Sequence, residues 1–379
     1  MNRFRIPRNP VVTAIDLHPD SAFVVSYNRH DDAFSQERKT RCSYGAEYLF
    51  KRILEILNDS PANTTVIVES GSTSRALVLF LRKNGFDARM VKPLKPIDDR
   101  PSNDWKDART LAVDYSVGKI DEIHLLDQAT FELREMNRMA LSTRRRASDT
   151  IRELQSMLHC HTGELFNGLS KNVPTSPQLR ELLGNTHALR TAIDLKKQFH
   201  LLDKNEKEMR DRITEQLRNN RTYGLLKTIP GVGKALAATI FLETGDIDRF
   251  KNAGKFHAFT GLMSFKSYSN KKIKRNHRTA GNSHLKWTFS LAAKRCVEWS
   301  SDRLVAPRTF YFRKYDQTHS HKLAQQALAS KLAKASFFVM KLQVPFSYER
   351  CFGPKLMEKV NRSVDETMAH EIVDSIDEQ

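Results

Sequence analysis

Hydrophobic positions along this chain follow two different periods. In the first third, short apolar runs alternate with helical spacing. Val11 to Leu17, Ala22 to Tyr27, Thr65 to Val68 and Ala88 to Val91 read as strands, whereas Tyr44 to Leu57, Ser74 to Asn84 and Asp104 to Val117 read as helices. Strands interleaved with helices predict an α/β domain around a mixed or parallel sheet. Pro93, Pro96 and Pro101 mark a loop before the last of these helices, and the domain is expected to close near Gly118.

From about Thr130 to Asn220 the period becomes helical throughout. Ala147, Ile151, Leu154, Leu158, His161 and Leu165 recur in steps of four and three, as do Leu195, Phe199, Leu202, Glu206, Met209 and Ile213. Pro174 and Pro177 fall between the two runs, which predicts an antiparallel, coiled-coil-like hairpin about 60 Å long at about 1.5 Å per residue. An ordinary helical bundle and a dimerisation arm fit this pattern equally. The triplet Arg144-Arg145-Arg146 faces either phosphates or solvent. Ala324 to Met340 reads as an Ala-rich helix, and the acidic stretch Asp365 to Gln379 as a frayed tail. The expected divisions are an α/β domain at 1–120, a helical connector at 121–222, a helical domain at 223–350 and a tail at 351–379.

Charge narrows the choice of partner. Lys and Arg number 62 against 44 Asp and Glu, a net +18 that suits a polyanion such as DNA or RNA. Membrane attachment is the weaker alternative, because no apolar run approaches the roughly 20 residues needed to span a bilayer. The basic N-terminus leads straight into the first strand without a signal-peptide core, so a cytoplasmic, nucleoid-associated location is expected. The cysteines at 42, 160, 296 and 351 have no CxxC pairing or zinc spacing and read as reduced structural thiols.

Two regions carry candidate chemistry. Leu225-Leu226-Lys227-Thr228-Ile229-Pro230-Gly231-Val232-Gly233-Lys234-Ala235 sets a Pro-Gly-Val-Gly turn ahead of an Ala-rich helix. Gly231 and Gly233 permit close backbone approach, and the amides at the next helix start point toward an anion, with Lys234 beside them. This is a helix-hairpin-helix pattern for gripping a phosphate backbone without reading bases, against the plainer reading of an ordinary helical turn. Downstream, Lys266, Lys271, Lys272, Lys274, Arg275 and Arg278 crowd a stretch read as a loop, either a DNA clamp or a solvated surface.

In the first domain four acids stand out by position. Asp16 ends the first strand, Glu69 ends a later one, and Asp104 and Asp107 fall one turn apart at a helix start, on one face. Converging, they would hold one or two Mg²⁺ ions for displacement at phosphorus. Taken singly, Asp104 also reads as a helix cap and Asp107 as a partner of the helix dipole.

Several stretches then bear comparison with a known family. They are Asp104-Trp105-Lys106-Asp107-Ala108-Arg109-Thr110-Leu111-Ala112, Thr228 to Gly233, Glu243-Thr244-Gly245-Asp246 with Arg249-Phe250, Gly261-Leu262, and Ala280-Gly281-Asn282-Ser283-His284-Leu285. In this order the chain resembles the DEDD transposases of the insertion-sequence 110 family, relatives of the Piv DNA invertases. The resemblance implies an N-terminal domain of RNase H/RuvC type carrying Asp16, Glu69, Asp104 and Asp107, and a C-terminal domain carrying an essential serine. That serine falls on Ser269, eight residues after Gly261, with Asn270 where the family has Gly and Ser267 as the neighbouring alternative. The implied activity is Mg²⁺-dependent DNA strand cleavage and exchange for transposition through a transient phosphoserine. A structured non-coding guide RNA and a homodimer or homotetramer are implied with it. The rival readings are an endonuclease acting on Holliday-type junctions through metal-activated water, and a catalytically inactive nucleic-acid-binding relative.

Overall fold

The computed structural model describes residues 7–42, 45–58, 64–92, 104–269, 272–278, 281–299, 305–358 and 360, with backbone alone for 264–269 and 272–278. The proline-marked loop, Asn270, Lys271, Ala280 and the acidic tail lie outside the described residues. Two units divide the chain, 1–125 and 126–379.

The first unit contains β1 (Val11–Leu17), β2 (Ser21–Asn28), β3 (Ala33–Arg41), α1 (Ala46–Asn58), β4 (Thr64–Glu69), α2 (Ser74–Lys83), β5 (Asp87–Val91) and α3 (Asp104–Ser116). Its sheet has the order β3-β2-β1-β4-β5, with β1 to β3 antiparallel and β1, β4 and β5 parallel, an RNase H-like arrangement. The continuous apolar run of β1 reflects burial on two sides. Ile15 joins Val24, Val66 and Val68 under α1 and α2, whereas Val12 and Ala14 face Leu111, Ala112 and Tyr115 of α3. Alternate residues of a strand thus feed separate cores.

Strand β3 is absent from the hydrophobic pattern for a physical reason. Its residues are almost all exposed, so they carry no apolar alternation, and pairing with β2 from Ser21↔Arg41 to Asn28↔Ala33 makes the strand. As an edge it carries Arg38, Lys39 and Arg41, charges that discourage pairing with another chain. Arg109 of α3 reaches across to grip Glu37 of β3 with two hydrogen bonds of 2.6 and 2.5 Å.

The second unit is helical apart from one ribbon. It comprises α4 (Gln128–Thr162), α5 (Ser176–Leu183), α6 (His187–Leu217), α7 (Arg221–Leu226), α8 (Lys234–Thr244), α9 (Ala253–Phe259), β6 (Ser264–Ser269), β7 (Lys272–Arg278), α10 (Ser283–Glu298), α11 (Val305–Thr318), α12 (His321–Leu342) and α13 (Tyr348–Phe352). Helices α4 and α6 pack along a seam that includes Ala147, Ile151, Leu154, Leu158, Ala192 and Phe199, and Arg144 bridges to Asp203 at 2.9 Å.

Four sequence expectations need correction here. The 35 residues of α4 span roughly 52 Å rather than 60 Å. Gly163 closes α4 with φ 74°, so Leu165 falls outside the seam and is 77% exposed. Pro177 does not merely interrupt two helices but starts α5, which Thr175 opens through a reciprocal cap with Gln178. Finally, the basic stretch read as a loop is the antiparallel ribbon β6-β7, paired from Ser264↔Arg278 to Ser269↔Lys272. Its dense polar composition hid the strands, because no apolar face marks them.

One buried charge ties distant segments of this unit together. Glu243 of α8, whose side chain is fully buried, receives both Nε and Nη2 of Arg138 from α4, at 2.7 and 2.8 Å. Asn282, which caps α10, donates to the same carboxylate at 2.6 Å. Nearby, Gly261 and Gly281 touch backbone to backbone, and a Cβ on Gly281 would lie 2.4 Å from Gly261 Cα. Burial alone would raise the Glu243 pKa, but the Arg138 and Asn282 hydrogen bonds outweigh it and hold the carboxyl below its ordinary value of 4.5. A depressed carboxyl stabilises the fold fully above that ordinary value, and this contribution is lost as pH falls below it and through the lowered one. Glu243→Gln is expected to cost about 3 kcal/mol at neutral pH, because it leaves Arg138 without its counter-charge. Urea unfolding of the two proteins should show the difference shrinking as the pH is lowered below about 4.5.

Candidate active site

The sheet brings together residues that are distant in sequence. Ile15 of β1 pairs with Val68 of the parallel β4, so Asp16 and Glu69 follow side by side at one sheet end. Alternation from Ile15 and Val68, which face α1 and α2, places both acidic positions on the α3 side. The end of β4 is pinned by Ser74, whose Oγ donates to the Glu69 carbonyl at 2.5 Å and accepts from Gly71 N at 2.8 Å. Asp104 is the first residue of α3 and Asp107 follows one turn later.

Asp16 registers this crowding. Burial raises its pKa above the ordinary 3.8, the charges of Asp104 and Asp107 push the same way, and His18 opposes them. Thus Asp16, Asp104 and Asp107 share one electrostatic site, with Glu69 at the adjacent strand end on the same face.

His18 belongs to this site and was missed by sequence reasoning. Its Nε2 lies 3.3 Å from Asp16 Oδ2 and 3.7 Å from Asp104 Oδ1. One ligand atom each from Asp16, His18 and Asp104 falls within 4.8 Å of the others. The available signal was the spacing Asp16-Leu17-His18 ahead of Pro19, where a tight turn returns the side chain toward the strand end. Carboxylate oxygens joined by an imidazole nitrogen suit a divalent cation. The buried His18 Nε2, without a hydrogen-bond partner, adds an orphaned donor atom facing that position.

In the second unit, α7 and α8 flank the Pro-Gly-Val-Gly turn. Gly231 adopts φ 74°, and a Cβ there would meet Ala292 O at 2.3 Å and Cys296 Sγ at 2.9 Å. The close approach it permits is therefore to α10. Gly233 is the extended N-cap of α8, followed by the exposed Lys234. Arg295 Nη1 lies 4.0 Å from where a Gly233 Cβ would sit, and burial with the nearby charge of Arg210 lowers its pKa. The start of α8 is thus surrounded by positive charge. On the ribbon, Ser269 ends β6 opposite Lys272, Ser267 stands opposite Lys274, and Arg275 follows in β7. Lys271 lies outside the described residues.

Residues 223–306, from α7 into α11, match the sequence profile described as "Transposase IS116/IS110/IS902 family". The match is confined to this one domain of the chain. It is also similar to the "Insertion element IS116 uncharacterized 44.8 kDa protein" of Streptomyces clavuligerus, at 26% identity over 151 residues, or 40% of this chain. The aligned part spans 37% of that relative's length. The transposase domain contains the helical turn, Glu243, the basic ribbon and Asn282, whereas the acids belong to the other unit. Among the described residues no helix is long and apolar enough to cross a membrane.

A raised Asp16 pKa means that its ionisation opposes folding of the metal-free protein, so that protein gains stability as pH falls through the raised value. Asp16→Asn removes the buried charge. It is expected to raise the metal-free melting temperature at neutral pH by a few degrees, as scanning calorimetry would show. A lower melting temperature would contradict the mutual repulsion described for the site.

Proposed function

We propose that this chain is a DNA transposase/recombinase that cuts and exchanges strands with the help of a divalent cation, Mg²⁺ in the cell. The observation that carries the reading is the cluster of Asp16, His18 and Asp104, with ligand atoms within 4.8 Å, on a sheet of RNase H-like order in a chain that also bears a transposase domain. Asp16, Glu69, Asp104 and Asp107 would hold the cation. When bound, it would stabilise charge on the attacking and leaving oxygens at phosphorus.

Ser269 is the proposed nucleophile. Its Oγ–H loses the proton as oxygen bonds to phosphorus, and the P–O bond to the leaving sugar oxygen breaks, that oxygen taking up a proton. The strand is then held as a phosphoserine ester until a second sugar hydroxyl displaces the serine. Lys271, Lys272, Lys274 and Arg275 would neutralise the phosphates around it. Gly231, Gly233 and Lys234 form a proposed helix-hairpin-helix grip on the DNA backbone, aided by the N-terminal dipole of α8. The net charge of +18 also suits a structured guide RNA. A dimer or tetramer would allow the acids and the serine, which belong to separate units, to act on one phosphodiester. The working division is a catalytic domain at 1–120, a connector at 121–222 and a DNA-gripping domain at 223–350.

The decisive experiment is exchange between donor and target DNA, with denaturing gels to detect protein attached to a DNA end. Ser269→Ala is expected to abolish both exchange and the attached species while DNA binding persists. Continued cleavage without exchange would favour the endonuclease reading, and full exchange would discard the serine. Lys234→Glu is expected to weaken binding to all DNA sequences alike and to lower the salt dependence by about one counterion, because a backbone contact carries no base information.

A further inference from the structure

We infer, resting on the reading of the carboxylates as a metal centre, that His18 is itself a ligand through Nε2 and shifts the preference of that centre away from Mg²⁺ toward first-row transition ions. Three observations meet on this atom. Nε2 is shielded from solvent, and its polar neighbours are carboxylate oxygens rather than a backbone group that would fix it. Asp16 Oδ2 at 3.3 Å and Asp104 Oδ1 at 3.7 Å stand nearest it among charged atoms. The Asp16 oxygen stands close enough to interact directly with the ring nitrogen, whereas the Asp104 oxygen lies beyond hydrogen-bond distance, so no single carboxylate accounts for the position of Nε2. Adjacent ligands of an octahedral ion at about 2.1 Å are roughly 3 Å apart and opposite ones roughly 4 Å. The observed spacings match donor atoms around a shared ion.

The ring is positioned for this from the backbone outward. His18 N donates to Ser21 O at 2.8 Å, closing the β1-β2 turn with Pro19 at its second position, where the fixed φ of proline is favourable. The ring then lies edge-on to Phe23 at 6.1 Å, and Phe23 packs edge-on against Trp105 at 5.1 Å. Trp105 adjoins Asp104 in α3, so one aromatic stack sets both the imidazole and the start of the helix.

Chemistry supplies the consequence. Mg²⁺ favours oxygen and keeps its water, whereas an imidazole nitrogen raises affinity for transition ions, in the order of the divalent series. An all-carboxylate site would bind Mg²⁺ and Mn²⁺ with little discrimination. With His18 as ligand, Mn²⁺ should win.

Mn²⁺ serves as the probe, added at one equivalent to the full chain and followed by electron paramagnetic resonance and electron spin-echo modulation. The wild type is expected to show the coupling of a directly bound imidazole ¹⁴N, replaced by the ¹⁵N pattern when the protein carries ¹⁵N-histidine. His18→Asn should lose the coupling and bind Mn²⁺ about tenfold or more weakly, whereas Mg²⁺ affinity, measured by competition, should change less than about threefold. His18→Gln provides the same comparison should the first variant misfold, as judged by circular dichroism. Asp16→Asn should lose the bound ion together with its nitrogen signal. Mn²⁺ bound in the wild type and lost in Asp16→Asn, but without nitrogen coupling, would overturn the ligation by His18 and leave the carboxylate centre standing. A nitrogen coupling that survives in His18→Asn would place the ion at another histidine and overturn the inference equally. Failure of the wild type to bind Mn²⁺ would remove the metal centre itself, and the role of His18 with it.

Discussion

Like charges resist being held together out of water, and the N-terminal unit is organised around that constraint. Asp16 stands at the end of a strand with both faces covered, where its ionisation is opposed by burial and by Asp104 and Asp107. Only a rigid frame keeps such groups in place. The frame here is the parallel pairing of β1 with β4 and the packing of α3 through Leu111, Ala112 and Tyr115 onto that sheet. The strain is therefore stored locally and offset by apolar burial elsewhere, the usual arrangement of a site awaiting an opposite charge.

The helical unit depends on the reverse arrangement, a buried charge fully satisfied. Glu243 accepts from Arg138 and Asn282, which joins the long helix α4 to α8 and to the cap of α10. Conformational uniqueness is the physical gain from such a node, since any other packing of α4 would strand the carboxylate without partners. Gly231 and Gly281 act in the same spirit, for a side chain at either would meet backbone below 3 Å. Glu243, Gly231 and Gly281 thus all serve to hold helices and turns at close range.

The residues proposed to bind metal are on the α/β unit, and those proposed to hold and attack DNA are on the helical unit. The basic ribbon β6-β7 presents alternating positions, with Ser267 and Ser269 opposite Lys274 and Lys272. A strand register sets such an alternation more firmly than an irregular loop would.

The apolar periods of the sequence were sufficient for the strands β1, β2, β4 and β5, the long helices and the acids at strand and helix ends, because each is written in local burial or local spacing. Tertiary structure alone decided the rest. Strand β3 and the ribbon have no buried apolar face, so only their hydrogen-bonded partners reveal them. The short helix α5 follows from a cap that proline spacing disguised as a break. Glu243 looked like one letter of a motif until Arg138, 105 positions away, was seen to meet it. His18 likewise had only its spacing from Asp16 and Pro19 to mark it among 13 histidines. Its significance comes from Asp104, which a helix on the far side of the sheet's connections brings within 3.7 Å, and proximity between distant segments is a property of the packed chain rather than of any window of sequence.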